Sequence, residues 1–258
     1  MLDVAGHDIH AVTVGAGAPA VMLHCMLARH EALLPLAEAI GGRVTLVDLP
    51  GHGRSGPWDG RTDYQHVATE AAAACCDGPT HVIGHSFGAT AALRLAVTRP
   101  DLVSRLTLCE PVYFAAAKGT PEHADHQHKF RPFITAMLAG EEERAAKVFN
   151  DLWGITRWAD IPPGKRKRLA ARIHLIVAGA RAIEEDPDGI TAPASLASVS
   201  CPVTLIRGAL TEPIICAIHA ALAELLPNVA DHVIDGAGHM VPVTHMPEVA
   251  EIIRSAGR

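Results

Sequence analysis

At 258 residues the chain is long enough for one large α/β domain with a full core. It is 49% hydrophobic but only 4% aromatic, so that core must be built from Ala, Val, Leu and Ile, and a formal net charge of −6 gives no basic footprint for nucleic acid. Met1-Leu2-Asp3-Val4 carries neither a basic nor an apolar leader, and no apolar run approaches the ~18 residues of a membrane span. A cytoplasmic protein, monomer or homodimer, acting on a small molecule away from membranes and nucleic acid, is the expectation. Cys25, Cys75, Cys76, Cys109, Cys201 and Cys216 form no C-x-x-C pair, and adjacent Cys75-Cys76 is too close for an ordinary staple, so reduced thiols are expected.

Residues 1–14 alternate as a small hairpin, with Gly6-His7-Asp8 as the expected turn and Ile9–Val14 as the second strand. Ala20–Leu23 reads as a buried strand, residues 31–40 as a helix, and Arg43–Val47 as the next strand, which stops at the turn-rich Asp48–Gly56. Tyr64–Cys76 is Ala-rich and helical. Val82-Ile83 then leads into Gly84-His85-Ser86-Phe87-Gly88, a helix over Phe87–Thr98, and a strand over Leu106–Cys109 that ends at Glu110-Pro111. Strands alternating with helices of about a dozen residues imply parallel βαβ units and a sheet covered on both faces. The rhythm lapses between Val112 and Ser200, where helical spacing recurs with breaks at Gly140, Pro162-Pro163-Gly164 and Pro187-Asp188-Gly189. It returns with a strand over Val203–Arg207, a helix over Ile214–Leu226, a strand over Ala230–Ile234 and a final helix from about Pro247.

The segment around Ser86 carries the chemistry. A strand, an abrupt turn and a helix place this serine at an apex with Gly84 and Gly88 on either side, where bulk would block close approach of strand and helix. The turn exposes the hydroxyl above the sheet and puts the Phe87 N–H at a helix N-terminus, suited to developing negative charge.

Taken together, His24 after an early strand, Pro50-Gly51-His52-Gly53-Arg54-Ser55, the Gly84–Gly88 elbow and Gly236-Ala237-Gly238-His239 occur in an order that resembles the α/β-hydrolase superfamily over essentially the whole chain. The resemblance implies an α/β-hydrolase fold, a mostly parallel sheet flanked by helices. Residues 1–111 and 201–258 would form the core domain and 112–200 an inserted helical cap. It implies a serine hydrolase that uses no metal or cofactor, with Ser86 as nucleophile and His239 as base. The resemblance implies an Asp soon after Val203–Arg207, and none is present. Glu110, at the end of the strand after the elbow helix, is favoured as the acid, with Glu212 as the alternative. Phe87 and Met26 would donate to the oxyanion. Met26 is chosen by position, because Cys25 stands where the family usually has Gly after His24. His24, Cys25, Trp153 and Trp158 are candidates for substrate contact, although the tryptophan spacing equally suits plain helix packing.

A small carboxylic ester or thioester is the expected substrate. C–C bond hydrolysis or perhydrolysis would use the same residues, and a hydrolase-fold binding protein with little turnover is the rival of another class. Serine at the elbow argues against haloalkane dehalogenase and epoxide hydrolase chemistry, which uses Asp there. His123, Asp125, His126 and His128 lie close in sequence but lack a tetrahedral set of i, i+4 pairs, so a polar, exposed cap entrance is expected there. Lys165-Arg166-Lys167-Arg168 reads as a solvated charge run.

Overall fold

A computed structural model describes residues 1–256; residues 257 and 258, which fall in the expected core domain, lie outside the described part. The strands and helices in chain order are β1 (Leu2–Val4), β2 (His7–Ile9), β3 (Ala11–Val14), β4 (Pro19–Leu23), α1 (Leu34–Ile40), β5 (Arg43–Val47), α2 (Tyr64–Ala73), β6 (Thr80–His85), α3 (Phe87–Thr98) and β7 (Val103–Cys109). They continue with α4 (Pro121–Leu138), α5 (Glu142–Trp153), α6 (Pro163–Ala170), α7 (His174–Glu184), α8 (Pro193–Ala197), β8 (Val203–Gly208), α9 (Pro213–Leu225), β9 (Val229–Ile234), α10 (Val241–Thr244) and α11 (Met246–Ser255).

The main sheet has seven strands in the order β3-β5-β4-β6-β7-β8-β9. Only β3 is antiparallel to its neighbour, and every other pair is parallel. This is the α/β-hydrolase fold. Alternate residues of each strand feed opposite faces: Val21, Leu23, Val82, Leu106 and Leu108 join the core under α2, α3 and α9, whereas Ala20, Met22, Ile83, Cys109 and Ile206 join that under α1 and α11. Helix α3 runs behind the central strands and is buried along most of its length, and its Ala-rich sequence lets it lie close to them. Helices α4 to α8 all fall between β7 and β8.

Two local expectations change. The hairpin turns at Ala5-Gly6, with φ of 49° and 77°, the paired positive φ of a two-residue hairpin loop. Ala is a poor residue for that conformation, which is why Gly6-His7-Asp8 looked like the turn. The second strand stops at Ile9, and Ala11–Val14 leaves the hairpin to pair with β5 instead. The helix expected over 31–40 begins only at Leu34, after a 3₁₀ turn at His30–Ala32. Pro35 explains this, since a residue with no N–H is accommodated in the first turn of a helix and not in its interior.

Candidate active site

Parallel strands bring several carboxyl ends to one edge, and the site collects there. Ser86 follows β6 with φ 55° and ψ −117°. Its backbone N–H bonds to the Cys109 carbonyl at 2.9 Å. A Cβ on Gly84 would meet the Ala89 backbone at 2.4 Å, and one on Gly88 would meet the Leu23 carbonyl oxygen at 2.4 Å. Only glycine at both positions lets α3 approach β6 and the end of β4 this closely. Glu110 ends the adjacent β7, also at positive φ (52°), immediately before Pro111. Strained backbone of this kind costs on the order of 1–3 kcal/mol per residue and persists where surrounding structure fixes it.

His239 lies on the loop after β9. Its Nε2 is 3.0 Å from Ser86 Oγ, and its Nδ1 is 3.0 Å from Glu110 Oε2. The Glu110 carboxylate is fully buried. It also accepts from the Gly208 N–H at 2.7 Å and from the Thr211 hydroxyl at 2.5 Å. Burial pushes this carboxyl upward, but the hydrogen bonds from His239, Thr211 and Gly208 outweigh it and hold the group below its ordinary 4.5. The segment after β8, which has no aspartate, thus supplies donors to an acid carried by the neighbouring strand. Gly208 is essential to that register, because a Cβ there would meet the Ala237 carbonyl oxygen at 2.1 Å. Neither Gly208 nor Thr211 carried a recognisable signal in the sequence. Glu212 is elsewhere, paired with Lys129 Nζ at 3.0 Å on α4.

Three further histidines brace the reactive loops. His85, beside the serine, donates from Nε2 to the His239 carbonyl at 2.9 Å. His24 donates from Nδ1 to the Cys25 carbonyl at 2.7 Å and accepts at Nε2 from the Leu49 N–H at 3.0 Å. His52 accepts at Nε2 from the Leu27 N–H at 2.9 Å and donates from Nδ1 to the Pro50 carbonyl at 2.9 Å. The Pro50–Ser55 turn therefore holds the backbone at Met26-Leu27 in place. Burial above all pushes His24 down to about 4, and His52 and His85 to about 3, so all three are neutral.

Above pH 6.5 these rings are neutral folded or unfolded, and below it the unfolded chain binds protons that the native one refuses. Stability should therefore fall steadily between pH 6.5 and about 4, seen as a declining urea midpoint. His52→Gln should flatten that slope by up to about one proton; an unchanged slope would mean the ring is not excluded from protonation.

Two cavities meet at Ser86. One is narrow and almost wholly apolar, lined by Phe87, Phe114, Phe130, Ile176, Ile183 and Glu184 together with Ser86. The other is a wide cleft that is also lined by His239, Cys25, Asn150, Lys165, Arg168 and Arg172. Met26, Phe149 and Trp153 border both. The Trp153 ring centroid lies 4.6 Å from that of His239.

Two candidate contact residues are thereby corrected. His24 lines neither cavity, because both its ring nitrogens are committed to backbone in the interior. Trp158 is buried away from both, with Arg166 5.9 Å from its ring. Cys25 does line the cleft, and burial pushes its thiol up to about 12, which leaves it unreactive. The exposed entrance expected at 123–128 is also corrected: i, i+3 spacing on α4 turns His123 and His126 inward, and His126 stacks on Phe114 at 4.2 Å. Among the described residues the set close enough to share a metal ion is instead His10, His30 and Asp48, with ligand atoms within 4.8 Å of one another. Both rings donate to Asp48 Oδ2, at 3.0 and 2.9 Å, so that carboxylate is satisfied by the protein itself. All six cysteines are unpaired, and no helix among the described residues is long and apolar enough to cross a membrane.

A parallel sheet with a serine on a strained strand-to-helix turn, a histidine on the last βα loop and a buried acid between them defines an α/β hydrolase. The sequence profile of the alpha/beta hydrolase family matches residues 20–252, and the chain belongs to that family. It is 30% identical to lipase LipV of Mycobacterium tuberculosis, over 96% of this chain and 97% of that protein. It is 29% identical to the pimeloyl-[acyl-carrier protein] methyl ester esterase of Methylococcus capsulatus, over 82% of each. Among solved structures, a thermophilic esterase from Thermogutta terrifontis superposes with a TM-score of 0.69 at 21% identity, over 96% of this chain and 92% of that one.

Proposed function

We propose that this protein is a serine hydrolase that cleaves a small carboxylic ester or thioester through an acyl-enzyme. The observation that carries the proposal is the unbroken chain Ser86–His239–Glu110, with both links at 3.0 Å. His239 Nε2 takes the Ser86 proton as Oγ attacks the carbonyl carbon, then gives it to the departing oxygen or sulfur. Water repeats the sequence in reverse roles and releases the acid. Glu110 holds Nδ1–H toward itself, which leaves Nε2 free to act as the base. The oxyanion is met by the Phe87 N–H, which as the first residue of α3 has no intrahelical partner. The second donor is the Met26 N–H, on a loop whose next N–H is already committed to His52. Residues 112–200 act as a cap, since Phe130, Phe149, Trp153 and Ile176 from this segment wall the cavities over Ser86. The lipase and esterase relatives support ester chemistry over the other reactions this triad permits. Labelling by a fluorophosphonate, lost in Ser86→Ala, tests the reading; a folded wild type that neither labels nor turns over esters would move a binding role to the front.

Proton delivery also orients the substrate. The leaving group must lie where His239 Nε2 reaches it, and His239 borders the wide cleft and not the narrow cavity. The acyl chain therefore occupies the narrow apolar cavity. Ala180 of α7 lines it, so Ala180→Phe is expected to lower the ratio of hexanoyl to acetyl ester kcat/KM by on the order of 10-fold or more. An unchanged ratio would place the acyl chain elsewhere.

A further inference from the structure

We propose that the leaving-group half of the substrate carries a negative charge, a phosphate or carboxylate, bound by Lys165, Arg168 and Arg172 in the wide cleft. The inference rests on the hydrolase reading above and adds the chemical class of the departing alcohol or thiol. All three residues line the cleft that Ser86 and His239 share. Their i, i+3, i+7 spacing along α6 and the turn that continues it sets them on one face. Arg166 of the same basic run is spent differently, donating to the carbonyls of Ile161 and Ala159 at 2.8 and 3.3 Å.

Arg29 also lines the cleft, but is held by Glu31 at 3.1 Å, and Glu31 further lies 3.2 Å from His30 Nδ1. Asp160, three residues before α6, is occupied too, by Arg157 at 2.7 Å. Lys165, Arg168 and Arg172 have no ion-pair partner among the described residues. A chain with net charge −6 thus turns three uncompensated cations toward the side of its nucleophile where the leaving group must sit. The narrow cavity is almost wholly apolar, and Glu184 is the one charged residue that lines it. Such asymmetry fits a substrate with an apolar acyl chain and an anionic remainder, which guanidinium groups bind through paired N–H donors.

The test compares butanoyl esters of glycerol, glycerol 3-phosphate and choline, with p-nitrophenyl butanoate as the activated neutral reference. The glycerol 3-phosphate ester is expected to exceed the glycerol ester in kcat/KM by about 10-fold or more at low salt, and the choline ester to be the poorest. In Arg168→Gln/Arg172→Gln the phosphate-to-glycerol ratio should collapse toward about 1, and added salt should erode the same ratio in the wild type without any substitution. The butanoyl ester of 3-hydroxypropanoate, whose carboxylate departs with the alcohol, separates carboxylate from phosphate recognition. Turnover of the p-nitrophenyl ester with no preference for either anionic ester would overturn this inference alone. No turnover of any ester, the activated one included, would overturn the hydrolase reading and this inference with it.

Discussion

Ser86→Ala is expected to lower kcat for any ester the protein hydrolyses by about 10⁶-fold, the loss seen when a serine nucleophile that acts as a unit with its base is removed. Fluorophosphonate labelling should vanish with it. The fold should not, because the Ser86 side chain contributes one hydrogen bond, to His239, and sits at the N-cap of α3 without capping it. A sharper form of the test uses the backbone. Ser86 holds φ 55°, a conformation that costs a residue with a Cβ and costs glycine nothing. Ser86→Gly should therefore be equally inactive yet melt higher than Ser86→Ala, by up to a few degrees for about 1 kcal/mol of relieved strain. Such a pair would separate catalytic from structural use of the position. Equal melting with full activity in either variant would end the nucleophile assignment.

Much of this arrangement was legible in the sequence because it rests on local chemistry. The elbow glycines, the strand ahead of them and the Ala-rich helix behind them are adjacent in the chain, so the turn at Ser86 is readable locally, and the ordered His24, Pro50–Ser55 and Gly236–His239 motifs mark it as the proposed nucleophile. His239 stands out for the same reason, on a Gly-rich loop after the last strand. The proposed acid was harder to single out. Glu110 and Glu212 both follow strand ends, and what separates them is the sheet order, in which β7 and β8 are neighbours and the end of one faces donors from the other. No local pattern announces that Gly208 and Thr211, 98 and 101 residues from Glu110, complete its shell. The histidines that brace the loops were hidden by abundance: with 16 in the chain, nothing marked His52 and His85 as partners of backbone atoms 25 and 154 residues away. The basic run on α6 failed to declare itself for another reason. Its helical face was readable, but the direction in which that face points depends on how residues 112–200 fold over the sheet.

Glu110→Gln is the second substitution with a large expected effect, a loss of about 10³–10⁴ in kcat. The amide keeps the volume, but its NH₂ group would confront donors. Glu110 now accepts three hydrogen bonds, from His239 Nδ1–H, the Thr211 hydroxyl and the Gly208 N–H. A glutamine has one acceptor oxygen for all of them. If that oxygen stays on Gly208, the amide NH₂ faces His239 and favours the tautomer with its proton on Nε2, which cannot accept from Ser86. Glu212→Ala, by contrast, removes a partner of Lys129 on a partly exposed surface and should change kcat by less than about threefold, in keeping with an ion pair worth about 0–1 kcal/mol. Because the folded-state pKa of Glu110 lies below its ordinary 4.5, the unfolded chain protonates first. The stability this carboxylate contributes is therefore complete above pH 4.5 and lost as pH falls through the lower folded value. Glu110→Gln should remove that portion of the acid transition, so that its urea midpoint declines less steeply below pH 4.5 than that of the wild type. Retained activity in Glu110→Gln together with a collapse in Glu212→Ala would transfer the acid's role across the sheet and require the loop after β8 to move before catalysis.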